Sequence, residues 1–373
     1  MKILSVFGTR PEAVKMAPVI RELAQTPNIE SRVCVTAQHR QMLDQVLDLF
    51  NIKPNYDLDL MREDQSLAEL SAAIFTHLDP VLSEFKPDWV LVQGDTTTVA
   101  ITSLLAYYRR IRVGHVEAGL RTHDKWQPFP EEINRRVAGV IADLHFAPTE
   151  WTKQNLLREG ISEKAIAVTG NPVIDALQFA AKQPEPKEIA KLIRELGIGN
   201  QNSSKRLILV TAHRRENFGK PLEEICNALK ELASRGDVEI IYPVHLNPNV
   251  QEPVYRILKN VNHITLLPPL DYLPLVGLMK RSTLILTDSG GIQEEAPAFG
   301  IPVLVLREVT ERPEGIEAGT LKLVGTATRR IVEQARRLLE DQSAYAEMAK
   351  AANPFGDGHA AQNIVRALLN YKS

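Results

Sequence analysis

Cysteine is nearly absent from this chain: Cys34 and Cys226 are the only two in 373 residues. Neither belongs to a CxxC pair or lies beside a histidine cluster, and both sit in apolar or helical patterns. A disulfide framework is excluded, and both read as buried thiols. The nine histidines form no HxxxH pair and no group with cysteine, so no metal site is expected. No apolar run approaches ~18 residues, which excludes a membrane-spanning helix. The apolar run at 2–7 is too short for a secretory signal, and a cytoplasmic protein is expected. An excess of one charge is also missing. With 44 basic and 46 acidic residues the net charge is −2, which speaks against a general nucleic-acid binder but not against a local basic pocket. The remaining composition, 44% hydrophobic and 24% charged, is that of a globular protein too long for a single core.

Short β-branched runs alternate with amphipathic stretches. Strands are expected at 2–7, 32–36, 89–92, 113–116, 144–147 and 166–168, with helices from Pro11 and over 42–50. The pattern breaks at Pro184 and Pro186, and again in the polar stretch 200–205. It then restarts with strands at 207–211, 239–242, 263–266, 284–287 and 303–306. The fold class expected is α/β: two doubly wound parallel-sheet domains of Rossmann type, over 1–175 and 176–357. A helix over 358–373 follows the turn at Pro354-Phe355-Gly356. Periodicity does not say which half it packs on; the N-terminal domain is expected.

Ligands of open parallel sheets bind beyond the carboxyl ends of the strands, so the polar residues there are the site candidates. Gly8 suits a tight strand-to-helix turn and Pro11 a first helical position. Arg10 and Lys15 beside them form either a diphosphate pocket or a plain turn with solvated basic residues. Asp95, followed by Thr96, Thr97 and Thr98, is either a helix cap or a group that meets substrate. Glu117 closes an apolar strand and must be paired or functional; Arg121 is the ordinary partner. His115 reads as a hydrogen-bonded core histidine. Glu131 and Glu132 open a helix after Pro130, where the dipole favours one acid and leaves the other as an active-site candidate. His213, Arg214 and Arg215 end the first strand of the second half and suit a phosphate or a leaving oxygen. Ser289, Gly290 and Gly291 bring backbone N–H groups to a helix start, Glu295 is placed for ribose hydroxyls, and Glu294 reads as a solvated first-turn acid. Arg312 is a further clamp.

Taken in order, FGTRPE at 7–12, GDTTT at 94–98, GHVEAGLRT at 114–122, PEE at 130–132, TAHRREN at 211–217, DSGGIQEEAP at 288–297 and TERPEGIEAGT at 310–320 resemble the bacterial non-hydrolysing UDP-N-acetylglucosamine 2-epimerases. The resemblance implies a GT-B-type fold with the active site in a cleft between the domains. It implies reversible conversion of UDP-N-acetylglucosamine to UDP-N-acetylmannosamine for cell-surface polysaccharides. The family route is elimination of UDP to 2-acetamidoglucal and re-addition to the opposite face, with no redox cofactor or metal. Asp95, Glu117, Glu131 and His213 fall at the family's catalytic positions, which places the sugar on the N-terminal domain. Arg10, Lys15, Ser289, Gly290, Gly291, Glu295 and Arg312 fall at nucleotide and phosphate positions, with UDP on the C-terminal domain. Residues 268–275 match the uracil loop, with Leu270 and Leu275 where some members have Gln and Phe. Gln38, Gln41, Glu131, Arg214 and His245 match a second, activating UDP-sugar site, whereas Asp64 stands where regulated relatives carry arginine. A homodimer is the family expectation. Which carboxylate serves which face stays open. The competing readings are a UDP-sugar glycosyltransferase of the same architecture, a hydrolysing epimerase, and a non-catalytic nucleotide-sugar sensor.

Overall fold

The computed structural model describes residues 1–36, 40–60, 62, 65–199 and 205–371, the side chains of 40–42 excepted. The chain divides into two units, Met1–Gln178 with Phe355–Ser373, and Phe179–Pro354.

The first unit holds strands β1 (Lys2–Phe7), β2 (Glu30–Val35), β3 (Tyr56–Asp57), β4 (Trp89–Gln93), β5 (Arg112–Val116), β6 (Leu144–Ala147) and β7 (Ile166–Val168). They form one sheet in the order β3-β2-β1-β4-β5-β6-β7, and every pairing is parallel. Its central strands are apolar on both faces because helices cover both: β4 reads WVLVQ and is buried throughout. The helix Ala360–Asn370 packs against the helix Arg10–Gln25 of this unit. It buries Ile364, Val365 and Leu368.

The second unit repeats the plan with β8 (Arg206–Thr211), β9 (Val238–Pro243), β10 (Ile264–Leu267), β11 (Leu284–Thr287), β12 (Val303–Val305) and β13 (Leu321–Leu323). Their order is β10-β9-β8-β11-β12-β13, again parallel throughout. Ile208, Val210, Ile240, Tyr242, Leu284 and Leu286 build its core with Leu222, Ile225, Leu229 and Leu232 of the helix Lys220–Ala233. The expected fold class, two Rossmann-like doubly wound sheets of the GT-B kind, is the one found. In both sheets the order reverses beside the first strand, so each has a switch point where the ends of β1 and β4, or of β8 and β11, diverge.

Strands β3 and β13 were not expected. Tyr56–Asp57 is only two residues long, and Lys322 interrupts the apolar run of Leu321–Leu323. The first helix starts at Arg10 rather than Pro11, because Thr9 caps it in a reciprocal box with Glu12. Cys34 and Cys226 are buried thiols. Among the described residues no helix is long and apolar enough to cross a membrane.

Candidate active site

At the switch point of the first sheet, Glu12 joins two turns. Its Oε2 accepts the backbone N–H groups of Gly8 (3.1 Å) and Thr9 (2.7 Å). Its Oε1 accepts the Thr96 hydroxyl at 2.8 Å. Burial pushes this carboxyl above its ordinary range despite those donors. Gly8 is required for close approach and not for turn freedom: a Cβ there would stand 2.2 Å from Thr36 Oγ1. Arg10 sits half-buried at the first position of the helix that follows.

Glu117 lies just beyond β5, 6% exposed, with a left-handed φ of 62°. Non-glycine residues take that conformation at a cost, which recurs at functional sites. Lys15 Nζ reaches both of its oxygens, at 2.7 and 2.5 Å, and Gln93 Nε2 donates to one of them. The expected partner Arg121 is instead bound to Glu159 by two hydrogen bonds of 2.8 and 2.7 Å. The positive φ and the reach of Lys15 from the first helix select the lysine.

Asp95 is not a helix cap. Thr96 takes that role, accepting the Val99 N–H, and leaves the Asp95 carboxylate for Arg135, whose Nε and Nη2 donate at 3.0 and 2.7 Å. Arg135 also donates to Glu132 at 3.2 Å. Glu132 is fully buried and accepts the N–H groups of Thr122 and His123. Of the two acids opening the helix Glu131–Ile141, Glu132 is thus structural and Glu131 is half-buried at its first position. His115 is a core histidine as expected. Nε2 bonds the Gly94 carbonyl at 2.7 Å, and burial pulls its pKa down to about 4.

In the second unit, Asp288 directly follows β11 and accepts the backbone N–H groups of His213 and Arg214, both at 2.8 Å. The His213 ring stacks on His245, with centroids 5.3 Å apart and planes at 14°. Arg214 and His245, expected at a second site, therefore flank His213. Burial lowers the His213 pKa from its ordinary value against the pull of Asp288.

Ser289 leads into the short helix Gly290–Glu295. A Cβ on Gly290 would stand 2.6–2.9 Å from the Arg312 guanidinium, whereas Gly291 faces open space. Arg312 is held by Glu294 (2.7 Å) and Glu311 (3.1 Å). Glu294 is accordingly not a solvated acid. It is 1% exposed, because the guanidinium covers it. Glu295 accepts the Tyr272 hydroxyl at 2.9 Å, and burial raises that phenol well above its usual range. Leu270 precedes and Leu275 falls within the first turn of the helix Tyr272–Arg281, both half-buried. Gln38, Asp64 and the Gln41 side chain lie outside the described residues. Among the described residues no three His, Cys, Asp or Glu side chains group to hold a metal.

Sequence reasoning gave no role to Gln93, Arg135, Tyr272 or Asp288, and left Glu132 undivided from Glu131. Only Asp288 left a usable signal, a carboxylate directly before Ser-Gly-Gly at a strand end.

Residues 21–369 match the family described as UDP-N-acetylglucosamine 2-epimerase. The chain belongs to that family. It is 56% identical over 373 residues to the UDP-N-acetylglucosamine 2-epimerase of Escherichia coli K12, with 99% of each chain covered. It is 57% identical over 375 residues to that of Yersinia pestis, with 100% of this chain and 99% of the other covered. The crystal structure of the UDP-GlcNAc 2-epimerase from Neisseria meningitidis bound to UDP-GlcNAc superposes over 100% of both chains, at 51% identity and a TM-score of 0.92. In this family member Asp95 and Glu117 follow β4 and β5 of the first sheet, and His213 follows β8 of the second.

Proposed function

We propose that this chain interconverts UDP-N-acetylglucosamine and UDP-N-acetylmannosamine without net hydrolysis. The observation that carries the reading is a pair of strand-end carboxylates, Asp95 and Glu117, beyond the neighbouring strands β4 and β5, each held by a cation, Arg135 and Lys15. A sensor of nucleotide sugars has no use for them. A C2 epimerase needs one carboxylate to take the proton from one face and one carboxylic acid to return a proton to the other.

The steps balance as follows. The C1–O bond breaks and its electron pair leaves with the β-phosphate of UDP, while the C2 proton passes to a carboxylate. The sugar is left as 2-acetamidoglucal. UDP then adds back to C1 as an acid delivers a proton to the opposite face of C2. Asp95, Glu117 and Glu131 are the candidate acids and bases. His213, Arg10 and Arg312 supply positive charge where the leaving oxygen gains its negative charge, and the N–H groups at Gly290 and Gly291 add donors. Glu295 and the 268–275 segment take the ribose and the base. Lys15, at a nucleotide position by resemblance, serves Glu117 in this arrangement.

The test is an NMR time course with UDP-N-acetylglucosamine in deuterated water and no acceptor. The expected result is the manno isomer with deuterium at C2. Release of N-acetylmannosamine and UDP would mean a hydrolysing enzyme. An unchanged substrate would favour a glycosyltransferase.

A further inference from the structure

Asp288 is fully buried, and its two oxygens are treated differently. Oδ2 accepts the His213 and Arg214 N–H groups and the Asn217 side-chain amide at 3.0 Å. These donors fix the carboxylate in space. Oδ1 accepts no hydrogen bond from the described residues and lies 3.7 Å from Nδ1 of the His213 ring. A buried carboxylate oxygen left without a donor is costly, and a small rotation of the imidazole supplies one.

We propose that Asp288 is the positioning residue of His213, keeping a proton on Nδ1 and so presenting Nε2 to the departing diphosphate. The inference rests on the reading of His213 given above. An anion beside Nδ1 favours the Nδ1–H tautomer of the neutral ring and offsets the charge of the imidazolium. The charged ring then donates Nε2–H to a phosphate oxygen. Burial, Arg214 and the stacked His245 disfavour its charged form, while Asp288 and Glu216 favour it, Asp288 more strongly. Asp288→Asn removes the stronger favourable charge while keeping a carbonyl for the backbone donors. The pKa of His213 then falls further, and the rate is lost at a lower pH on the alkaline side.

The test measures kcat and KM against pH for the wild type, Asp288→Asn, Asn217→Ala and His213→Ala. Long-range nitrogen–proton NMR reads the His213 tautomer in the wild type. For Asp288→Asn we expect kcat to fall roughly 10²-fold or more with KM little changed, and the alkaline limb of kcat/KM to move down by about one pH unit. Asn217→Ala removes an anchor but no charge and leaves that limb in place. In a His213→Ala background, Asp288→Asn adds no further loss. An Nε2–H tautomer in the wild type overturns the proposal whether or not any variant folds. So does a wild-type alkaline limb in Asp288→Asn, or the same shift in Asn217→Ala. Wild-type turnover by His213→Ala would instead remove the role of His213 itself.

Discussion

Asp95 and Glu117 combine strand-end position with a dedicated counter-ion, and Glu117 adds an unfavourable backbone angle. Asp95→Asn and Glu117→Gln keep the shapes and remove the charges. Each is expected to lower kcat by about 10²–10⁴, measured by the NMR assay. Near-wild-type turnover would take that residue out of the chemistry. Each also strips a largely enclosed cation of its carboxylate, so activity has to be compared at a temperature where circular dichroism shows the variant folded. A second residue-scale effect concerns acid. His115 and His145 pair across β5 and β6, and burial lowers their pKa values to about 4 and about 3 from 6.5. Both stay neutral in the fold, whereas the unfolded chain protonates them below pH 6.5. They cost no stability above that pH, and stability drains away as pH falls towards 3. His145 is fully buried, so His145→Phe is expected to move the acid-unfolding midpoint to lower pH. An unchanged midpoint would show that this ring does not limit acid stability. The carboxylates were legible because a strand-end acid stands out locally. Their partners were not, since Lys15 lies 102 positions from Glu117 and Arg135 lies 40 from Asp95. Glu294 was misread for the same reason: a first-turn acid looks solvated until Arg312, 18 positions on, is folded over it.

At the scale of elements, the apolar runs are the telling ones: WVLVQ in β4 and LILT in β11 are strands on sight because both of their faces are covered. Tyr56–Asp57 and Leu321–Leu323 are strands only because a neighbour supplies the ladder, which no local pattern records. The Arg10–Gln25 helix shows the opposite case, where a capping box written in Thr9 and Glu12 fixes the start to the residue. The helix Ala360–Asn370 contributes through packing. Leu368 is 2% exposed, and Leu368→Ala is expected to cost about 2–5 kcal/mol. That loss reads as a lower denaturant midpoint at constant slope. A midpoint within error of wild type would show that the helix adds nothing to the first unit.

Across the whole molecule, the restart of the strand–helix pattern after the proline-rich break was enough to expect two sheets of one plan. Both have the order of a doubly wound fold. Periodicity was silent on where the chain goes after Pro354, because an amphipathic helix does not encode which apolar surface it covers. It goes back: Asp175 accepts the N–H groups of Ala360 and Ala361, 185 and 186 positions later. This return dictates an order of events during synthesis. A ribosome completes all the strands of the first sheet long before it delivers the helix that covers Arg10–Gln25. The nascent first unit waits uncovered on that side, and it closes only after the whole of the second has emerged.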